Sequence, residues 1–138
     1  MMRSKFVVWG LLPAAIVLLH GCARRQPDPV DIFPEDICTL CKMAISDRRF
    51  ASEILTAEEV FKFDDIGCME KYRGIRGELR DIQVFYMDYT TRTWLPEQRA
   101  VVVRSGVFTP MGSGMVAFAD STDARAFAND HPAQHSGE

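Results

Sequence analysis

The chain has 138 residues, 19 acids against 16 bases and 47% hydrophobic residues, with a net charge of −3. That is enough for one ordinary domain with its own core, or for two small units sharing it. All the acids follow residue 21, so the chain beyond that point carries about −5, which argues against nucleic acid or acidic lipid as the main partner.

Arg3 and Lys5 precede an uncharged run from Phe6 to Leu19, interrupted by Pro13. The run is shorter than the roughly 20 residues that span a bilayer, so residues 1–21 read as an export signal. Leu19-His20-Gly21-Cys22 is similar to the bacterial lipobox. Cys22 is therefore expected to become the lipidated N-terminus, carrying acyl chains such as palmitate. Three thiols remain, Cys38, Cys41 and Cys68. An odd number in an oxidising compartment cannot all pair internally, so at least one needs protection. Residues 22–35, rich in proline and mixed charge, read as a tether.

The expected domain covers 36–130. Ala51–Leu55 and Val60–Phe63 read as short strands. A helix follows from Asp65 to about Arg73, capped by Asp64 or Asp65 and stopped by Gly74, with Cys68, Met69 and Tyr72 as its apolar stripe. On that stripe Cys68 reads as a buried, inert thiol. Asp81–Tyr89, Ala100–Arg104 and Met115–Ala119 are strand-like. A second helix runs from Ser121 to about Asp130, capped by Asp120 or Ser121. Residues 131–138 read as a disordered tail. At an offset of 55, Phe63 matches Phe118, Asp65 matches Asp120 and Tyr72 matches Phe127. The expected fold class is α+β: two similar units of strands with a short helix each, dividing near residues 80 and 81.

Two clusters carry chemistry. Cys38-Thr39-Leu40-Cys41-Lys42-Met43 sets three sulfur side chains in a C-x-x-C-x-M pattern. Thiolates and thioethers are soft donors, and a methionine two residues after a cysteine tilts the pattern from zinc toward Cu(I). In an extended segment Cys41 and Met43 would face one side and grip one ion. Thr109-Pro110-Met111-Gly112-Ser113-Gly114-Met115 presents Met111 on a Gly/Pro loop, where it either completes such a site or plugs one end of a sheet. His131 and His135 are better read as solvated surface than as auxiliary ligands. Asp64-Asp65 fits helix capping better than acid–base work, and no constellation asks to be an enzyme active site. The rival reading is a thiol–disulfide redox protein using Cys38 and Cys41.

The order lipobox, C-x-x-C-x-M, FDDIGCMEKY (63–72) and TPMGSGMVAF (109–118) resembles the NosL family, over most of 36–130. The resemblance implies a periplasmic copper chaperone that holds Cu(I) and delivers it for assembly of the copper centres of nitrous oxide reductase. It implies a membrane partner, the ABC-type maturation complex with its periplasmic component, and a fold similar to that of organomercurial-lyase relatives. By motif position it implies Cys41, Met43 and Met111 as ligands, with Cys38 either a further ligand or a disulfide partner. Ala23 beside Cys22 makes the outer membrane the expected location, with the domain facing the periplasm.

Overall fold

A computed structural model describes residues 27–133. The signal segment, Cys22 and His135 lie outside the described residues. Among those described, no helix is long and apolar enough to cross a membrane.

Strands β1 (Ser52–Leu55), β2 (Val60–Phe63), β3 (Gln83–Met87) and β4 (Trp94–Pro96) form one antiparallel sheet in the order β2-β1-β3-β4. Helix α1 (Ile66–Arg76) packs on it through Ile66, Cys68, Met69 and Tyr72. Strands β5 (Val101–Arg104) and β6 (Met115–Phe118) form a second sheet, covered by helix α2 (Ser121–Asp130). The class is α+β, with two sheets and short helices.

The offset-55 echo has a structural basis. Each helix has an aspartate cap two residues after its strand: Asp65 accepts from Gly67 N–H, and Asp120 accepts from Thr122 and Asp123 N–H. Each helix then lays an aromatic ring on the strand's terminal phenylalanine. Tyr72 lies 5.3 Å from Phe63 and Phe127 lies 5.2 Å from Phe118, centroid to centroid. Such pairs add about 0.5–1.5 kcal/mol beyond their buried area.

The units do not divide near residue 80. β3 and β4 follow that point yet pair into the first sheet, because β1 needs a neighbour on each edge to satisfy its backbone. The second sheet begins at Val101. Asp88 fastens the two: its carboxylate accepts from Ala119 N–H at 2.7 Å and from Thr90 and Thr91 N–H at 2.9 and 2.7 Å. Those bonds outweigh the burial that would raise its pKa, and hold it below the usual value.

Two other expectations are corrected, and one strand is new. Helix α1 runs through Gly74, whose only cost there is weak propensity, and stops at Gly77, where φ is +71°. β4 escapes sequence reading because it is three residues long and ends in proline. The tether does not reach residue 35: Ile32 is buried in the core, and Val30 N–H donates to Glu53 Oε2 at 3.0 Å. Lys62 Nζ holds the same segment at Asp31 O (2.7 Å) and Asp36 Oδ2 (2.6 Å).

Candidate metal centre

Cys38–Met43 folds as a tight hairpin. Cys38 N–H donates to Met43 O at 2.8 Å, Lys42 N–H donates to Cys38 O at 3.1 Å, and Ile37 bridges Ala44. Lys42 sits at φ +66°, the left-handed turn that closes a four-residue loop. This overturns the extended geometry expected for Cys41 and Met43. The chain reverses between them, so strand alternation does not put them on one side. Cys38 is wholly buried beneath the hairpin, Cys41 is half-buried, and Met43 is 47% exposed.

The hairpin lies beside the β2–α1 junction, with Thr39 N–H donating to Lys62 O at 2.8 Å. Cys41 Sγ–H donates to both oxygens of Asp64, at 3.4 and 3.5 Å. Cys68, one turn into α1, faces the same point. The ligand atoms of Cys38, Cys41, Asp64 and Cys68 all lie within 4.8 Å of one another, a cluster able to hold a metal ion. Burial, together with the neighbouring Cys38 and Asp64, pushes the Cys68 thiol far up. Burial pushes Cys38 up as well. Both thiols are buried, so solvent reaches neither of them freely. Reading Cys68 from its helix stripe found its burial but not its company. The i, i+4 spacing of Asp64 and Cys68 was the available signal.

Asp65 brings the second cluster to the first. Its side chain is fully buried; one oxygen accepts from Gly67 N–H at 2.6 Å, and the other from Thr109 Oγ1–H at 2.6 Å and Met111 N–H at 2.9 Å. Burial alone would raise this carboxyl; the hydrogen bonds around it, including one with Ser113, more than offset that and hold it below the usual value. The helix cap is thus also the strap that fixes the Thr109–Met115 loop. Gly67 permits the close approach, since a Cβ there would meet Ser113 Cβ at 2.6 Å.

Met111, 45% exposed, lines a cavity of about 500 Å³ with Leu40, Cys41, Gly67, Cys68 and Met115. Met43 lines a neighbouring depression of about 470 Å³ with Asp64, Phe108 and Pro110. Asp64, touching Cys41, stands between the two hollows, and Pro110-Met111 spans them. Cys41 and Met111 therefore share one cavity, and Met43 adjoins it across Asp64. Cys38 lies below with Cys68. His131 is distant from this cluster, stacked on Phe127 at 4.3 Å.

The NosL family model matches residues 29–136. The chain belongs to the NosL family. Its fold is similar to the crystal structure of the copper chaperone NosL from Shewanella denitrificans, with a TM-score of 0.70 and 20% identity, covering 80% of this chain and 92% of that one. No curated protein matches the chain. The family match begins at residue 29, which agrees with the docking of Val30 and Ile32 onto the first sheet.

Proposed function

We propose that this NosL-family chain is a metallochaperone that holds Cu(I) on Cys41, Met43 and Met111 and passes it to an acceptor. The observation that carries the reading is the shared cavity of Cys41 and Met111, residues far apart in sequence but held by adjacent aspartates, Cys41 on Asp64 and Met111 on Asp65. A thiolate and two thioethers form a soft, low-coordinate set that favours Cu(I) over hard ions. The half-buried thiol and exposed thioethers leave the shell open, so an acceptor sulfur can enter before a donor leaves. Copper then moves by ligand exchange and is not released as a free ion.

Family membership and the chaperone neighbour support copper binding and transfer; delivery for nitrous oxide reductase assembly, through an ABC-type maturation complex, is the finer reading that the sequence resemblance implies. The lipobox-like Leu19–Cys22 supports anchoring by lipid on Cys22, with the domain in the periplasm at the outer membrane. This is a binding and transfer protein in that reading, with no turnover chemistry assigned. The redox alternative is disfavoured at Cys38, because thiol exchange needs an accessible thiol of lowered pKa and this one is buried and raised.

The test is anaerobic competition for Cu(I) between the reduced protein and a chromogenic chelator. One tightly held Cu(I) is expected, lost in Cys41→Ser and weakened roughly tenfold or more in Met43→Leu and Met111→Leu. Both methionines are about half exposed, so both variants should keep the fold. If both bind Cu(I) as tightly as the parent, the ligand assignment is wrong.

A further inference from the structure

The copper reading leaves Cys38, Cys68 and Asp64 without a task, yet they converge with Cys41 from three separate elements. The hairpin supplies Cys38 and Cys41, the turn between β2 and α1 supplies Asp64, and the first turn of α1 supplies Cys68. Ordinary apolar packing does not explain the set. Asp64 is 2% exposed, and the side chains facing it are thiols: Cys41, which donates at 3.4 and 3.5 Å, with Cys38 and Cys68 beside it. A buried carboxylate with such weak partners is costly, and a cation beside it removes that cost.

We propose that this chain has a second metal-binding mode: a closed four-coordinate centre of Cys38, Cys41, Cys68 and Asp64 for a divalent ion of the zinc class. In a tetrahedral centre with metal–sulfur bonds of about 2.3 Å, neighbouring sulfurs stand roughly 3.8 Å apart. The four ligand atoms already lie within 4.8 Å of one another, so closing the set takes shifts of about 1 Å. The bond between Thr39 N–H and Lys62 O fixes the hairpin to the end of β2, which keeps Cys38 and Asp64 from drifting apart. The shared cavity gives entry beside Cys41 and Cys68.

The donor set selects the ion. A carboxylate oxygen is a hard donor that suits zinc and adds little to Cu(I), and four donors match zinc's tetrahedral habit better than copper's low coordination. Three thiolates and one carboxylate also concentrate four negative charges in a mostly buried place, which a divalent ion neutralises better than a monovalent one. Binding displaces the thiol protons to solvent and involves no electron transfer. Because Cys41 belongs to both sets, a zinc-class ion in this centre excludes Cu(I) from the outer one. That exclusion rests on the copper reading, while the centre itself does not.

Co(II), a spectroscopic stand-in for zinc, tests the centre in the purified, reduced protein. One equivalent should give thiolate-to-cobalt charge-transfer absorption and the visible bands of a tetrahedral site, both abolished by Zn(II). Cys38→Ser, Cys68→Ser and Asp64→Asn should each weaken Co(II) binding about tenfold or more. Met43→Leu and Met111→Leu should leave it unchanged. Absence of the charge-transfer band overturns the proposal, as does a band that persists unaltered in both Cys38→Ser and Cys68→Ser. Near-ultraviolet circular dichroism checks that the variants fold. Should either serine variant unfold, zinc-edge X-ray absorption of the parent decides: three sulfurs and one oxygen support the centre, and a single sulfur refutes it. Loss of Co(II) binding with intact Cu(I) binding strikes this centre alone; the converse strikes only the copper reading.

Discussion

Asp65→Asn tests whether one carboxylate both caps α1 and straps the Met111 loop. At an N-cap asparagine serves as well as aspartate, so the bond to Gly67 N–H should survive. The second oxygen becomes an NH₂ group facing Thr109 Oγ1 and Met111 N–H. The hydroxyl can turn and accept, but Met111 N–H is left facing another donor. Losing a hydrogen bond to a charged group costs about 1.5–3 kcal/mol, and a stranded buried donor adds about 1–3 kcal/mol unless the loop swings into water. Together these give a loss of about 2.5–6 kcal/mol, or about 1.5–3 kcal/mol where the loop swings out, against a typical total of about 5–15 kcal/mol. The variant should fold, with a thermal midpoint lower by roughly 10–15 °C. Its Cu(I) affinity should also fall, since Met111 is no longer held beside Cys41. Asp120→Asn is the internal control, because Asp120 caps α2 in the same way but straps no distant loop. Urea unfolding at neutral pH compares the two. Equal shifts for both variants would refute the strap. The pH dependence has a definite sign: the folded pKa of Asp65 is depressed, so its contribution is complete above the unfolded value and is lost as pH falls through the lower folded value.

Three further outcomes are expected. Glu53 is fully buried, and burial raises its pKa to about 7, so the native state holds a proton that the unfolded chain releases above about pH 4.5. Stability should therefore fall as pH rises from about 5 to 7, by up to roughly 3 kcal/mol, and Glu53→Gln should flatten the profile in denaturant titrations across that range. Lys42→Gly relieves a left-handed backbone and should gain about 0.5–1 kcal/mol, seen as a higher thermal midpoint; a lower one would contradict the assigned turn. Gly67→Ala improves helix propensity, yet its Cβ would press on Ser113, so a net loss of about 1–3 kcal/mol and weaker Cu(I) binding should follow, read by urea unfolding and chelator competition.

Much of the fold could be read from the sequence because its cues are local. Phe63 followed by Asp65, and Phe118 followed by Asp120, mark strand-to-helix junctions that the structure contains at those positions. The failures are tertiary. Gly74 carries the composition of a helix stop, but only Gly77 has the positive φ that ends the helix. Nothing in a lysine side chain announces that Lys42 turns left-handed, so the hairpin between Cys41 and Met43 was invisible. Ile32 sits among prolines and charges that look like linker, and only its packing into the core of the first sheet explains its burial. At the candidate site the sulfur residues were legible as residue types, whereas Asp64, Asp65 and the facing of Cys68 depended on how the two segments fold together.

The docking of Val30 and Ile32 on the first sheet has a mechanical meaning. A hinge at residue 35 would let the domain swivel freely on whatever holds its N-terminal end. Instead the segment from Val30 to Asp36 is gripped by Lys62 on Asp31 and Asp36, and by Glu53 on Val30. A pull applied at residue 30 is borne first by those contacts and reaches the Cys38–Met43 hairpin through the short span that begins at Asp36. Orientation and site are thereby geared together: turning the segment at Val30 turns the mouth of the cavity with it.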